Sequence, residues 1–174
     1  MELLRRFAGR EAFLSEGESE LNCGVHRACM SEIQIAFNLV TEYYQEMRVE
    51  VREDRDEFER QYFEKETGLW LAELEGAPVG CVALRKLNTR PKCGEIKRLY
   101  VRASQRGKGI ADLLLRALEA YASECEYEWL YLDTMLSMKA AARFYERNSY
   151  LRCERYNDNP QAGLFMRKHL ATTS

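Results

Sequence analysis

The chain has 174 residues, of which 46% are hydrophobic and 31% charged, and its formal net charge is −2. This size and balance are typical of one globular domain with its own core, and they exclude a membrane-spanning protein, because no stretch approaches the roughly 18 apolar residues that a span requires. The N-terminal stretch lacks an apolar secretion segment. We therefore expect a cytoplasmic protein that binds neither a membrane nor nucleic acid.

The cysteine content argues against both a disulfide framework and a metal site. Six cysteines are scattered along the chain without a C-x-x-C pair, and only two histidines accompany them. Zinc sites need clustered ligands, and disulfide frameworks belong to small secreted domains. We expect free thiols and no metal.

The first elements in chain order are helices. Residues 1–30 show no clean periodicity, and we treat them as a leader of uncertain structure ahead of one domain over 31–174. Ser31 and Gln34 have capping-box spacing, and an apolar helical stripe follows them to Met47. A second, highly charged helix is predicted over about 54–66, with Phe58 and Tyr62 on its buried side.

Strands and helices then alternate to the end of the chain. The predicted elements are a hairpin over 69–87, a strand over 95–101, a helix over 109–124, a strand over 128–134, a helix over 137–148, and strands over 150–156 and 163–170. This order predicts an α+β fold in which a mixed sheet carries helices on both faces.

The stretch "SQRGKGIADLLLRALEAYA" at 104–122 joins a strand to a helix through a glycine-rich turn. Such a turn leaves backbone N–H groups free at a helix N-terminus, where the helix dipole favours anions. Residues 90–108 also hold seven Lys or Arg residues against one acid, Glu95, in a chain that is net acidic. The sequence thus predicts a phosphate-binding loop, although a plain connector with a solvated basic face is an open alternative.

Two common phosphate motifs do not fit this turn. A P-loop needs glycine where Arg102 stands and a hydroxyl residue where Gly109 follows Lys108. A dinucleotide fingerprint needs a third small residue where Asp112 stands, and a carboxylate there repels the pyrophosphate.

A third motif does fit. Arg106-x-x-Gly109-x-Ala111 resembles the R/Q-x-x-G-x-G/A pyrophosphate loop of the GNAT superfamily of acyl-CoA-dependent N-acetyltransferases, and "EIKRLYV" resembles the central strand of that family. "SMKAAARFYERNSYL" at 137–151 is similar to its second signature, with Met138 in place of an asparagine and Ser149 in place of a glycine. The resemblance covers about 31–170 and implies a GNAT-like, mostly antiparallel sheet of about six to seven strands.

The resemblance also implies acetyl-CoA as co-substrate, a primary amine as acceptor and direct transfer between them. The implied cofactor-binding residues are Leu99, Tyr100, Val101, Arg106, Gly107, Lys108, Gly109, Ile110, Ala111, Met138 and Ala141. Tyr145 stands where the family's general acid protonates the departing thiolate, and a core tyrosine is its alternative. Glu95 has a spacing similar to the family's general base, and a surface partner of Lys97 or Arg98 is its alternative.

The acceptor itself is less sharply defined. The acid-rich stretch 42–75 and the loop "YNDNP" at 156–160 are candidate acceptor contacts, and a solvated face and an Asx turn are their respective alternatives. We expect a small amine or an amino-acid-like acceptor, with a peptide lysine as the second choice and a non-catalytic acyl-CoA-binding module as the third. The sequence leaves the oligomeric state open, a homodimer included.

Overall fold

The structure is a computed structural model, and it describes residues 23–48, 50 and 53–170. Seven strands form one sheet in the order β1-β2-β3-β4-β5-β7-β6. The strands are β1 (Cys23–Arg27), β2 (Gly68–Leu74), β3 (Ala77–Lys86), β4 (Cys93–Val101), β5 (Trp129–Thr134), β6 (Leu151–Arg152) and β7 (Leu164–His169). The helices are α1 (Ile33–Met47), α2 (Arg55–Tyr62), α3 (Ile110–Glu124) and α4 (Lys139–Arg147).

All strand pairs are antiparallel except β4 with β5, which run parallel. The predicted mostly antiparallel mixed sheet is therefore confirmed. The parallel step arises because α3 crosses over between β4 and β5, and a parallel connection needs such a crossover.

The helices cover the two faces of the sheet because strand side chains alternate in direction. Leu69, Leu71 and Cys81 pack with α1 and α2 on one face. Trp70 and Val82, their immediate neighbours, pack with α3 and α4 on the other. Each fully buried leucine of these two cores contributes about 1.5–3 kcal/mol relative to an exposed one.

Two elements differ from the sequence analysis. Cys23–Arg27, which we assigned to the leader, forms β1 and pairs with β2 along its whole length. Its five residues show neither alternation nor an apolar run, so no strand signal precedes Ser31. The strand predicted over 150–156 shrinks to the two residues of β6, because the chain then leaves the sheet to form a loop.

No helix of the described segments is long and apolar enough to cross a bilayer. All six cysteines are free thiols.

Candidate active site

The site begins where β4 and β5 separate. These strands pair only through Cys93–Glu95 and Trp129–Tyr131, after which β4 continues along β3 and β5 continues along β7. Beyond Glu95, β4 has no hydrogen-bonded strand on its β5 side. The sheet therefore opens into a V whose walls include unpaired backbone.

A bulge in β4 increases this separation. The register with β3 shifts between Cys81 and Ala83, which pair with Tyr100 and Lys97, so that two β4 residues oppose one β3 residue. Arg98, in the bulge, has φ 57°, a left-handed conformation that non-glycine residues seldom adopt. Bulges bend a strand and redirect its side chains, and they are common next to active sites.

The V opens into a cavity of about 670 Å³. Most of the residues that the sequence analysis assigned to the site line it: Leu99, Val101, Arg106, Gly107, Gly109, Ile110, Ala111, Met138, Ala141 and Tyr145. Tyr100, Lys108 and Glu95 do not line it. Tyr100 packs instead with the core under α1 and α2, and its hydroxyl donates to Glu46 over 3.0 Å.

The glycine turn at the mouth of this cavity leaves five consecutive backbone N–H groups unused. From Gly107 to Ala111 these groups donate no hydrogen bond to any atom of the described chain, and the first helical bonds of α3 start from Asp112 and Leu113. Gly107 and Gly109 have φ values of 79° and 75°. A Cβ at either glycine would meet nothing within 4 Å, so their backbone angle, and not lack of space, calls for glycine.

The charged side chains around the turn are held by partners. Arg106 donates from Nε to the Val101 carbonyl oxygen over 2.9 Å and pairs with Glu46. Arg147 Nη2 lies 2.7 Å from an Asp112 oxygen, so the one carboxylate in the first turn of α3 is neutralised. What this turn has to offer an anion is therefore mainly its backbone N–H groups and the positive end of the helix dipole.

Tyr145 lies on α4, on the wall of the cavity next to the splayed strands. Its ring packs edge-on against Phe144 and Tyr150, at centroid distances of 5.2 and 5.4 Å. Its hydroxyl makes no hydrogen bond within the part of the chain that the structure describes. Burial raises the pKa of Tyr145, and the nearby Tyr43 and Asp133 raise it further, so the phenol is protonated at neutral pH. Tyr145 thus packs in the core and also lines the cavity with a protonated phenol.

Glu95 is fully buried under the cavity, with 0% exposure. Its oxygens accept from Arg85 Nε (2.6 Å), Lys97 Nζ (2.9 Å), the Tyr156 hydroxyl (2.8 Å) and Asn157 Nδ2 (3.0 Å). Burial alone would raise the pKa of Glu95, but Lys97 and Arg85 outweigh it and lower the pKa. Glu95 therefore reaches the cavity only through Lys97, which does line it.

Several cavity-lining residues were missed by the sequence analysis, above all Tyr43, Lys97, Asp133, Thr134 and Asn159. For Asp133 and Thr134 a signal exists, since they are polar residues directly after the apolar run of β5. Asn159 belongs to the "YNDNP" loop, whose Asx turn is confirmed by the Asn159 N–H donating to Asn157 Oδ1 over 3.2 Å.

The acid-rich stretch has partners that its sequence did not reveal. Arginines of β4 and the following turn pair with three of its acids: Arg98 with Glu53, Arg102 with Glu42 and Arg106 with Glu46. The local excess of negative charge at 42–75 and the local excess of positive charge at 90–108 therefore cancel in part across the sheet.

Comparison with known proteins identifies the family. The model of the acetyltransferase (GNAT) family matches residues 34–150, and the chain belongs to this family. A crystal structure of a GNAT-family acetyltransferase from Staphylococcus aureus Mu50 superposes with a TM-score of 0.75 at 18% identity, over 86% of this chain and 99% of that one. At this identity the match concerns the fold.

Two sequence relatives are closer in identity but shorter in overlap. An uncharacterized N-acetyltransferase of Schizosaccharomyces pombe is 35% identical over 85 residues, which cover 49% of this chain and 52% of the relative. The N-acetylaspartate synthetase of Xenopus tropicalis is 38% identical over 98 residues, covering 55% of this chain and 35% of the relative. The matches thus span about half and about a third of these relatives' lengths.

Proposed function

We propose that this protein is an acyl-CoA-dependent N-acetyltransferase that moves an acetyl group from acetyl-CoA directly to a primary amine of a small-molecule or amino-acid-like acceptor. One observation carries the proposal. Four of the five residues with unused N–H groups, Gly107 and Gly109 to Ala111, line the same cavity as Tyr145.

The residues at the turn fit the diphosphate of coenzyme A. Consecutive N–H groups at the start of a 15-residue helix offer both hydrogen bonds and positive potential to an anion. The unpaired edge of β4 from Leu99 to Val101 offers further backbone groups to an extended amide-containing arm and to a developing oxyanion. When bound, acetyl-CoA supplies an acyl group already activated as a thioester.

In this proposal the protein aligns the reactants and moves protons. The amine nitrogen attacks the thioester carbon, the carbon–sulfur bond breaks, and Tyr145 donates its phenolic proton to the departing thiolate. Tyr145 is protonated at neutral pH, so its proton is available when the thiolate forms, and a proton from solvent then restores the phenol.

The resemblance implies that Glu95 accepts the proton that leaves the amine. Because Glu95 is buried, this proton has to reach it through another residue. Lys97 lies 2.9 Å from Glu95 and lines the cavity. A proton leaving the amine can pass to the Lys97 nitrogen as Lys97 passes one of its own protons to Glu95. We expect Glu95→Gln to remove the acidic limb of the pH–rate profile, and an unaltered profile would count against this role.

An amine library tests the proposed function. The protein is incubated with acetyl-CoA and a mixture of small amines, amino acids and lysine peptides, and mass spectrometry detects acetylated products and free coenzyme A. Acetylated small amines support the proposal, and products confined to the peptides would favour the peptide lysine acceptor. Acetyl-CoA binding without any product would instead favour a non-catalytic acyl-CoA-binding module.

A further inference from the structure

Two buried carboxylates share one lysine at the point where β4 and β5 part. The side chains of Glu95, Asp133 and Lys97 are 0%, 2% and 11% exposed. The Lys97 ammonium lies 2.9 Å from Glu95 Oε1 and also contacts Asp133 Oδ1. Charges are seldom buried without a reason, because desolvation of each ion costs several kcal/mol even when it is paired.

The "YNDNP" loop holds both carboxylates from a third part of the chain. Tyr156 and Asn157 donate to Glu95 over 2.8 and 3.0 Å. Asn159 Nδ2 donates to Asp133 Oδ2 over 2.6 Å. The Asx turn fixes these two asparagines relative to each other. The loop therefore positions two carboxylates that lie 26 to 62 residues earlier in the chain, and Asp133 is held both by the loop and by Lys97.

Asp133 differs from Glu95 because it reaches the cavity. Among the described residues, the carboxylates that line the cavity are Asp112 and Asp133. Asp112 is paired with Arg147 at the mouth. Asp133 lies close enough to Tyr43 and Tyr145 for its charge to act on both hydroxyls. It is thus the carboxylate at the Tyr145 end of the cavity.

The charges of this cluster are unevenly placed relative to the cavity. Lys97 lines the cavity and contacts both Asp133 and Glu95. The second cation at Glu95, Arg85, binds its other oxygen and does not line the cavity. Arg98, which does line it, is paired with Glu53. Two cations therefore balance the two carboxylates, but Asp133 meets the cavity beside a lysine that it shares with Glu95, so its charge is only partly offset there.

We propose that Asp133 binds the ammonium group of the acceptor beside Tyr145, and that Glu95, Lys97 and the "YNDNP" loop are positioning residues for it. This inference rests on the proposed function and specifies its substrate class: acceptors are primary amines that arrive as cations. A carboxylate has about four acceptor directions, so one that already binds Lys97 and Asn159 can still accept from an ammonium.

Equilibrium binding tests this independently of turnover. The full chain, saturated with coenzyme A, is titrated by calorimetry with propylamine and 2-phenylethylamine and with 1-propanol and 2-phenylethanol, their neutral isosteres. We expect the unaltered protein to prefer each amine by about 10- to 100-fold, the usual effect of a hydrogen bond to a charged group. Equal binding of amine and alcohol, or of neither, overturns the proposal without any variant.

Matched variants then test which residue causes the preference for amines over alcohols. Asp133→Asn should reduce the amine preference to less than about threefold, since the charged hydrogen bond is lost. Glu154→Gln also removes one negative charge, at an exposed position outside the loop, and should keep the preference. An Asp133→Asn protein that unfolds cooperatively, binds coenzyme A and still prefers amines would overturn the assignment.

Turnover separates this inference from the proposed function. If the amine preference depends on Asp133 but no amine is ever acetylated, the proposed function fails and the binding site stands. If amines are acetylated but the Asp133→Asn variant raises the KM for 2-phenylethylamine no more than Glu154→Gln does, the inference fails and the proposed function stands.

Discussion

The glycine turn at 106–111 and the ion cluster of Glu95, Lys97 and Asp133 both contribute residues to one cavity but are built in opposite ways. The turn uses backbone N–H groups of consecutive residues, and its geometry depends on two glycines with positive φ. The cluster uses side chains from β4, β5 and the 156–159 loop, and each member is held by the others.

The turn therefore depends on local backbone conformation, whereas the ion cluster depends on all of its members together. An anion site made of backbone groups survives many side-chain changes, because every residue type except proline carries the same N–H. A buried ion cluster fails when one member is removed, because the remaining charges stay desolvated without a partner. The ion cluster is therefore the more fragile of the two, and four experiments test that contrast.

The largest effect is expected from removing one charge of the cluster. Glu95→Ala leaves Lys97 and Arg85 without their shared carboxylate, and we expect the free energy of unfolding to fall by about 3–5 kcal/mol. Urea unfolding followed by circular dichroism measures this. Glu128→Ala breaks an exposed pair with Lys92 and is the control, for which we expect little change. Similar losses in both variants would contradict the cooperative description of the cluster.

A large kinetic effect is expected from Tyr145→Phe. Removing the phenolic proton donor should lower kcat by about 100-fold while leaving the Kd for acetyl-CoA unchanged, since the ring that packs in the core is retained. Steady-state kinetics measures kcat, and calorimetry measures the Kd for acetyl-CoA. Tyr150→Phe is the matched control, because the Tyr150 hydroxyl donates to Glu119 and does not line the cavity. Unchanged kcat in Tyr145→Phe would remove Tyr145 from the chemistry.

A smaller effect, on the affinity for acetyl-CoA, is expected from a substitution in the glycine turn. Gly109→Ala places a side chain at φ 75°, a conformation that costs L-residues about 1–2 kcal/mol, so we expect acetyl-CoA to bind about tenfold more weakly. Gly76→Ala imposes the same strain at φ 79° in the β2–β3 hairpin, far along the chain from the turn. Both variants should lose similar stability, and only Gly109→Ala should lose affinity. Equal affinities would show that this turn does not hold the diphosphate.

The smallest effect is expected in how steeply the free energy of unfolding falls as the pH is lowered. The pKa values of Glu95 and Asp133 are lowered in the fold, where Lys97 stabilises both anions against the opposing effect of burial. Their contribution is therefore fully present above the unfolded pKa values of about 4 and is lost as the pH falls through the lower folded values.

Glu95→Gln removes one of these titrations, so its free energy of unfolding should fall less steeply between pH 6 and pH 3 than that of the unaltered protein. Urea unfolding at several pH values gives the slope. Glu154→Gln, at an exposed position, should follow the unaltered protein. If the free energy of unfolding fell equally steeply with pH in all three proteins, the pKa of Glu95 would be the same in the folded and the unfolded chain.

The fold and the turn were largely predictable because their signals are short-range. Helical stripes, strand runs and two glycines after a strand all lie within windows of about 20 residues, where periodicity and backbone preference act directly. β1 escaped prediction because its five residues carry no such signal. The bulge at Arg98 also escaped, since nothing in "EIKRLYV" marks a left-handed residue.

The sequence by itself determined the class of fold, the glycine turn before α3 and the position of Tyr145, since each depends on neighbours in the chain and on backbone geometry. Only the tertiary structure decided that Glu95 is buried, that Lys97 joins it to Asp133, and that the 156–159 loop clamps both. The physical reason is the range of the forces. A backbone conformation is chosen residue by residue, whereas the pairing of buried charges is fixed by which strands the sheet places side by side.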